Sequence, residues 1–230
     1  MNAALLLLAI ASADVGTAPP DAMTAPEATV AIAPLAKPGT LIFSKGQCVY
    51  VTAYTGSEIT HVAIVCPDAD GNRWVYDSMK GHGVRRSRLA DYLVSMKDAE
   101  LTLVPPAGPM SPAQLGGLRR TLEEDLGRPY DVAHYLTGVE SDGLHCSEYV
   151  TESLADVGVL RSRRPADVSP GQLADGVALM RFFAEPTRVQ LTVPEPAKPT
   201  GMGCCEEFWW DTKACCRSTG DWLSGLFLCR

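Results

Sequence analysis

Cys146 stands in "GLHCSEYVTESLADVG", residues 143–158, directly before a run in which Val150, Leu154 and Val157 recur at helical spacing and Gly158 supplies a stop. A thiol at a helix N-terminus meets unpaired N–H groups and the positive end of the helix dipole. Both favour the thiolate, which is the nucleophilic form. A buried free cysteine is nevertheless the commoner case and usually inert, so the thiol needs a base before chemistry can be assigned to it. The chain offers four histidines, His61, His82, His134 and His145. Of these, His61 opens an apolar strand that would hold its ring rigidly, although a lone strand histidine is more often structural. His145 adjoins the cysteine, but neighbouring side chains at a helix start point apart, and the partner of a catalytic cysteine usually comes from elsewhere in the chain.

The elements that must position these residues read as mixed. "TLIFSK" from Thr40 is a short strand, and "HVAIVCP" from His61 is a β-branched apolar run bounded by the polar turn "DADGN". "RWVYDSM" follows as a second strand, so residues 61–79 form a hairpin. "ELTLVPP" is a third strand, ended by Pro105 and Pro106. "SPAQLGGLRRTLEEDLG" begins with a Ser cap and a Pro at the first helical position, carries Leu115, Leu118, Leu122 and Leu126, and stops at Gly127. Strands first and helices after, without βαβ alternation, predict an α+β fold.

The 230 residues suffice for one domain with tails, and a hydrophobic content of 46% is enough for a real core. A formal charge of -7 and a pI near 5.1 speak against a nucleic-acid partner, because no basic cluster is large enough to neutralise a run of phosphates. The short runs Arg85, Arg86, Arg88 and Arg161, Arg163, Arg164 read as solvated surface. Residues 1–13 resemble a secretory leader, with an apolar run and the small-residue pattern Ala11-Ser12-Ala13, too short to span a bilayer. Residues 14–38, rich in Pro and Ala, read as a linker, so the domain is expected over 39–185 and a Pro-rich hinge over 186–203. Residues 204–230 carry Cys204, Cys205, Cys215, Cys216 and Cys229 among Trp and Leu. Adjacent Cys-Cys pairs do not fit zinc spacing. Disulfides, or acylation beside an interfacial segment, fit better. The tail is expected to attach the protein to a membrane or envelope, with a disulfide-knotted appendage as the alternative, and an extracytoplasmic location follows from the leader. Nothing in the sequence sets an oligomeric state.

One longer stretch is specific. "LGRPYDVAHYLTGVESDGLHCSEYV", residues 126–150, resembles the "LGxPYxWGG…GFDCSGLV" signature of the NlpC-type cell-wall cysteine peptidases. Upstream, "PGTLIFSK" and "TGSEITHVAIV" resemble the "GDLIF" and "THVGIV" blocks of its circularly permuted branch, the YiiX/YaeF-like papain-type amidases. There the histidine strand precedes the cysteine helix, as His61 precedes Cys146. The resemblance spans about residues 39–177.

It implies a permuted papain-like fold, an antiparallel sheet packed against helices with the nucleophile at a helix N-terminus. Cys146 matches the nucleophile and His61 the base. "VYDS" places Asp77 at the orienting acid, where the branch more often has Glu, one methylene longer. A cross-strand neighbour at about 5 Å can hold an imidazole, while a surface carboxylate on a hairpin is the plainer reading of Asp77. Tyr130, in "PYD", matches a donor on the oxyanion side and could equally be core packing. Asp131 and Glu148 also match, and a carboxylate in the first turn stabilises a helix without catalysing anything, so both are expected to be structural. The implied activity is a thiol hydrolase working through an acyl-enzyme on amide bonds of peptides or cell-wall-derived substrates, without metal or organic cofactor. Lipid acyl transfer or hydrolysis, and a silent binding module, are the rival readings.

Overall fold

The computed structural model describes residues 22–46 and 49–193 and, in the tail, positions 206, 209, 212, 213 and 216. The leader, residues 14–21 of the expected linker, Cys48 and the tail cysteines other than Cys216 lie outside the described residues. In chain order the elements are β1 (Ala22–Met23), α1 (Ala25–Ile32), β2 (Leu41–Lys45), α2 (Val49–Thr55), β3 (Ile59–Pro67), β4 (Arg73–Met79) and β5 (Gly83–Arg88). They continue with α3 (Leu89–Met96), β6 (Glu100–Val104), α4 (Pro112–Glu124), α5 (Ala133–Thr137), α6 (Cys146–Asp156), α7 (Pro170–Ala178) and β7 (Thr187–Leu191). The strands form one sheet in the order β1-β7-β6-β2-β3-β4-β5, antiparallel in every pairing except β1 with β7. This is the α+β arrangement expected from the element order.

Helices cover both faces of the sheet. On one face Leu118 and Leu122 of α4, Tyr149, Val150 and Leu154 of α6, and Leu173 and Val177 of α7 bury Leu41, Phe43, Val62 and Ile64. On the other, Ala28 and Ile32 of α1 and Tyr92, Leu93 and Met96 of α3 bury Ile42, Ala63, Val65 and Val75. That explains the continuous apolar run of β3: a strand buried on both faces has no polar side to show.

Two expected boundaries move. Part of the Pro/Ala-rich segment is folded, because Pro26 sits in the first turn of α1, where its missing N–H costs nothing. Glu27 accepts hydrogen bonds from the Thr24 N–H and hydroxyl at 2.9 and 2.8 Å, and Ala28 and Ile32 then bury one face of the helix. Among the described residues the folded structure thus includes β1 and α1, upstream of residue 39. It also runs past 185, since β7 pairs with β6 and buries Val189 and Leu191.

Candidate active site

α6 begins at Cys146 with His145 as its cap. The His145 ring accepts from the Glu148 N–H at 3.3 Å, while the Glu148 carboxylate accepts from the His145 N–H at 3.3 Å, a reciprocal pair that closes the first turn. The far ring nitrogen of His145 donates to the Ala166 carbonyl at 2.9 Å, and Ser147 donates to the Val168 carbonyl at 2.6 Å. From the sheet, the Ser78 hydroxyl donates to the Leu144 carbonyl at 2.7 Å, tying β4 to the residues that lead into the helix. Cys146 is buried, 4% exposed.

Two glycines let the neighbouring loop close in. Gly83, at φ +72, opens β5 where a side chain would strike the Arg128 carbonyl, and the Val84 N–H donates to that carbonyl at 2.8 Å. Gly143 leaves room for Asp131 and for the Pro129 carbonyl, which accepts from the Leu144 N–H at 3.0 Å. Between those contacts lies Tyr130, brought to the wall of the pocket that holds Cys146. Burial raises the Tyr130 hydroxyl above its ordinary pKa, with Cys146 the next cause, so it remains a neutral donor. Asp131 accepts from the Ala133 N–H at 2.7 Å and starts α5.

His61 lies at the beginning of β3, opposite Ser44, where the register with β2 shifts. Its Nε2 is 3.1 Å from Asp77 Oδ2, and Asp77 is fully buried. Strand alternation puts His61 and Asp77 on one face, since Asp77 follows Tyr76, the partner of Ile64, and so stands opposite Ala63, two residues from His61. The ring lies close enough to the Cys146 sulfur for each group to shift the other's protonation. Burial alone would push the Cys146 thiol up. The charge of His61 is the largest effect opposing it, and the thiol comes down to about 6. For His61 burial works downward, and the sulfur's charge with the Asp77 hydrogen bond carries it up to about 10. Between those values the site holds thiolate and imidazolium together.

The structure therefore brings Cys146, His61, Asp77 and Tyr130 to one place. Glu148 is buried behind the thiol, bonded to the cap and to His134 Nδ1 at 3.1 Å, and Asp131 supports α5. His82 is exposed in the β4–β5 turn. Three residues escaped sequence reasoning: Arg85, which grips Asp77 instead of being solvated surface; Ser78; and His145 as a cap. Arg86 and Arg88 also differ from plain surface, stacking over the Trp74 ring at 4.7 and 4.4 Å. Only cross-strand pairing reveals Arg85, because Asp77 and Arg85 lie directly opposite each other across β4 and β5.

The pocket at Cys146 has a volume of about 540 Å³, walled by α2, α5 and the start of α7. Among the described residues no group of three or more His, Cys, Asp or Glu side chains is placed to hold a metal ion. A search of curated proteins finds no match. A crystal structure of a protein described as the metalloprotein yiiX from Escherichia coli O157:H7 is 17% identical, covering 69% of this chain and 98% of that one at a TM-score of 0.49. The family model of the permuted papain-like amidase enzymes, YaeF/YiiX, C92 family, matches residues 35–166, more than half of the chain. The chain thus belongs to the YaeF/YiiX family of permuted papain-like amidases and is a cysteine amidase/peptidase-like hydrolase.

Proposed function

We propose that the chain cleaves amide bonds of peptides or cell-wall-derived substrates through an acyl-enzyme on Cys146. The observation that carries this reading is the buried Asp77–His61 pair beside a thiol at the start of a helix. The thiolate attacks the carbonyl carbon, and the new oxyanion meets backbone N–H groups at the start of α6 and the Tyr130 hydroxyl. His61, as imidazolium, gives its Nδ1 proton to the departing amine as the C–N bond breaks, while Asp77 holds Nε2–H and keeps the ring oriented. Water then attacks the thioester, His61 takes its proton, and collapse of the intermediate breaks the C–S bond, releasing the acid and restoring the thiolate beside the imidazolium.

A second reading keeps this chemistry and changes the carbonyl. Val51, Tyr54, Val132 and Leu136 give the pocket an apolar wall, which suits a lipid acyl ester. Incubating the protein and its Cys146→Ala variant with wall-derived peptides and with phospholipids, followed by mass spectrometry of the products, separates the two. Cys146-dependent peptide cleavage supports the amide reading. Fatty acid released with every peptide intact overturns it. The same proposal places the protein outside the cytoplasm, with the Cys- and Trp-rich tail as its attachment to membrane or envelope. The composition of leader and tail supports this, and truncation at about Pro199 would then release the protein from the membrane fraction. Among the described residues no helix is long and apolar enough to cross a membrane.

A further inference from the structure

Asp77 is a short carboxylate asked to reach an imidazole that its longer homologue would reach more easily. What fixes its rotamer is a second strand. Arg85 Nε donates to Asp77 Oδ1 at 2.9 Å and Nη2 to Oδ2 at 3.4 Å, while the same Nη2 lies 3.2 Å from Met79 Sδ. The two residues are direct cross-strand partners, the carboxylate is fully buried, and the arginine side chain is 23% exposed. A forked guanidinium on a carboxylate sets its plane as well as its charge, which a single ammonium does not. Oδ1 is taken by Nε, and Oδ2, which Nη2 reaches only at 3.4 Å, faces His61 Nε2 at 3.1 Å.

We propose that Arg85 is a positioning residue of this site, holding Asp77 ionised and turned toward His61 through its fork. The inference rests on the reading that His61 serves Cys146. Arg85 does not touch the thiol; whatever it does there passes through Asp77. Other groups also act on the carboxylate: His61 from β3 and, by charge alone, the Tyr92 hydroxyl from α3 and the Tyr149 hydroxyl from α6, the last of which donates to the Leu122 carbonyl. Of these only His61 and Arg85 bring positive charge. Burial works to raise the Asp77 pKa, and the hydrogen bonds and charges of His61 and Arg85 bring it below its ordinary value. Removing Arg85 leaves one cation to do this, so the carboxylate takes a proton at higher pH. A protonated Asp77 no longer supports the imidazolium, and the thiolate is lost with it.

The test is the rate of Cys146 alkylation by iodoacetamide against pH, read by mass spectrometry on the full chain, which requires no knowledge of the substrate. Arg85→Gln should move the acid limb of the profile upward by about half a pH unit, less than the shift one close opposite charge gives a carboxylate, because the thiol feels the loss only through Asp77 and His61. Arg85→Lys, with charge but no fork, should give a smaller shift of the same sign. In an Asp77→Asn background, Arg85→Gln should change the rate less than twofold, because a residue acting through Asp77 has nothing left to act on. Should Arg85→Gln not fold, Arg85→Lys in both backgrounds carries the same comparison. A rate that falls equally at every pH with an unmoved limb, or by the same factor in both backgrounds, overturns the proposal and makes the pair a structural cross-strand bridge. If His61→Ala slows alkylation while both arginine variants leave the limb in place, this inference alone falls. If His61→Ala has no effect, the reading beneath it falls too.

Discussion

Cys146 and Cys66 are both buried thiols, packed into the same hydrophobic cluster, yet their chemistry is opposite. Cys66 lies on β3, five residues after His61, and burial pushes its thiol up to about 12, with Arg119 pulling weakly the other way. Cys146 comes down to about 6 although burial opposes ionisation there as well. Low exposure therefore cannot distinguish the two. The difference lies in what each sulfur meets. Cys66 has the Pro67 carbonyl at 3.7 Å, an acceptor that disfavours negative charge, whereas Cys146 has an imidazole backed by a buried carboxylate and sits at a helix start.

If that comparison is right, Cys146→Ala should remove amide turnover by about 10⁴-fold or more, because the covalent route disappears, while Cys66→Ala leaves it within about twofold. Product release from any substrate the wild type cleaves measures both. His61→Ala should turn Cys146 into a thiol more like Cys66. Its thiolate fraction at pH 7 falls about thirtyfold once the pKa returns to about 8.5, and alkylation should slow to match. Tyr130→Phe tests the oxyanion side of the pocket: kcat should fall about tenfold to a hundredfold, with KM and alkylation nearly unchanged, since the hydroxyl acts only when charge reaches the carbonyl oxygen.

The smallest effect is on stability, and its sign follows from proton counting. His61 has a folded pKa of about 10, raised above its ordinary value, so its contribution is full below about 6.5 and lost as the pH rises through 10. Cys146 has a lowered one of about 6, so its contribution is full above about 9 and lost as the pH falls through 6. Between about 6.5 and 9 the folded pair and the unfolded pair each hold one proton, and the two slopes cancel. The difference in Tm between the wild type and His61→Ala should thus be flat across that window and shrink on either side. A difference that slopes steadily through neutral pH would break the ion-pair account.

Much of this was legible in the sequence, and the exceptions share a cause. The cysteine helix was readable because Val150, Leu154 and Gly158 mark its face and its end. The histidine strand was readable because burial on both faces of the sheet makes β3 continuously apolar. α1 was not, since Pro26 and the alanines around it resemble a linker until the Thr24–Glu27 cap and the packing of Ile32 are seen. Arg85 was illegible for a deeper reason. Its neighbours Arg86 and Arg88 suggest a solvated run, and only the register of β4 with β5 turns one of the three toward Asp77. Local spacing reports helices and strands; it does not report which side chains meet across a sheet.

The most direct test of the central claim, that His61 holds Cys146 as a thiolate, is the pH profile of iodoacetamide alkylation at Cys146 in wild type and His61→Ala, with Cys66 followed in the same digest. The account predicts a wild-type midpoint near 6 that moves toward the ordinary thiol range, about 8.5, when the imidazole is removed, with Cys66 silent throughout. A wild-type midpoint already at 8.5 or above, unmoved by His61→Ala, would contradict it.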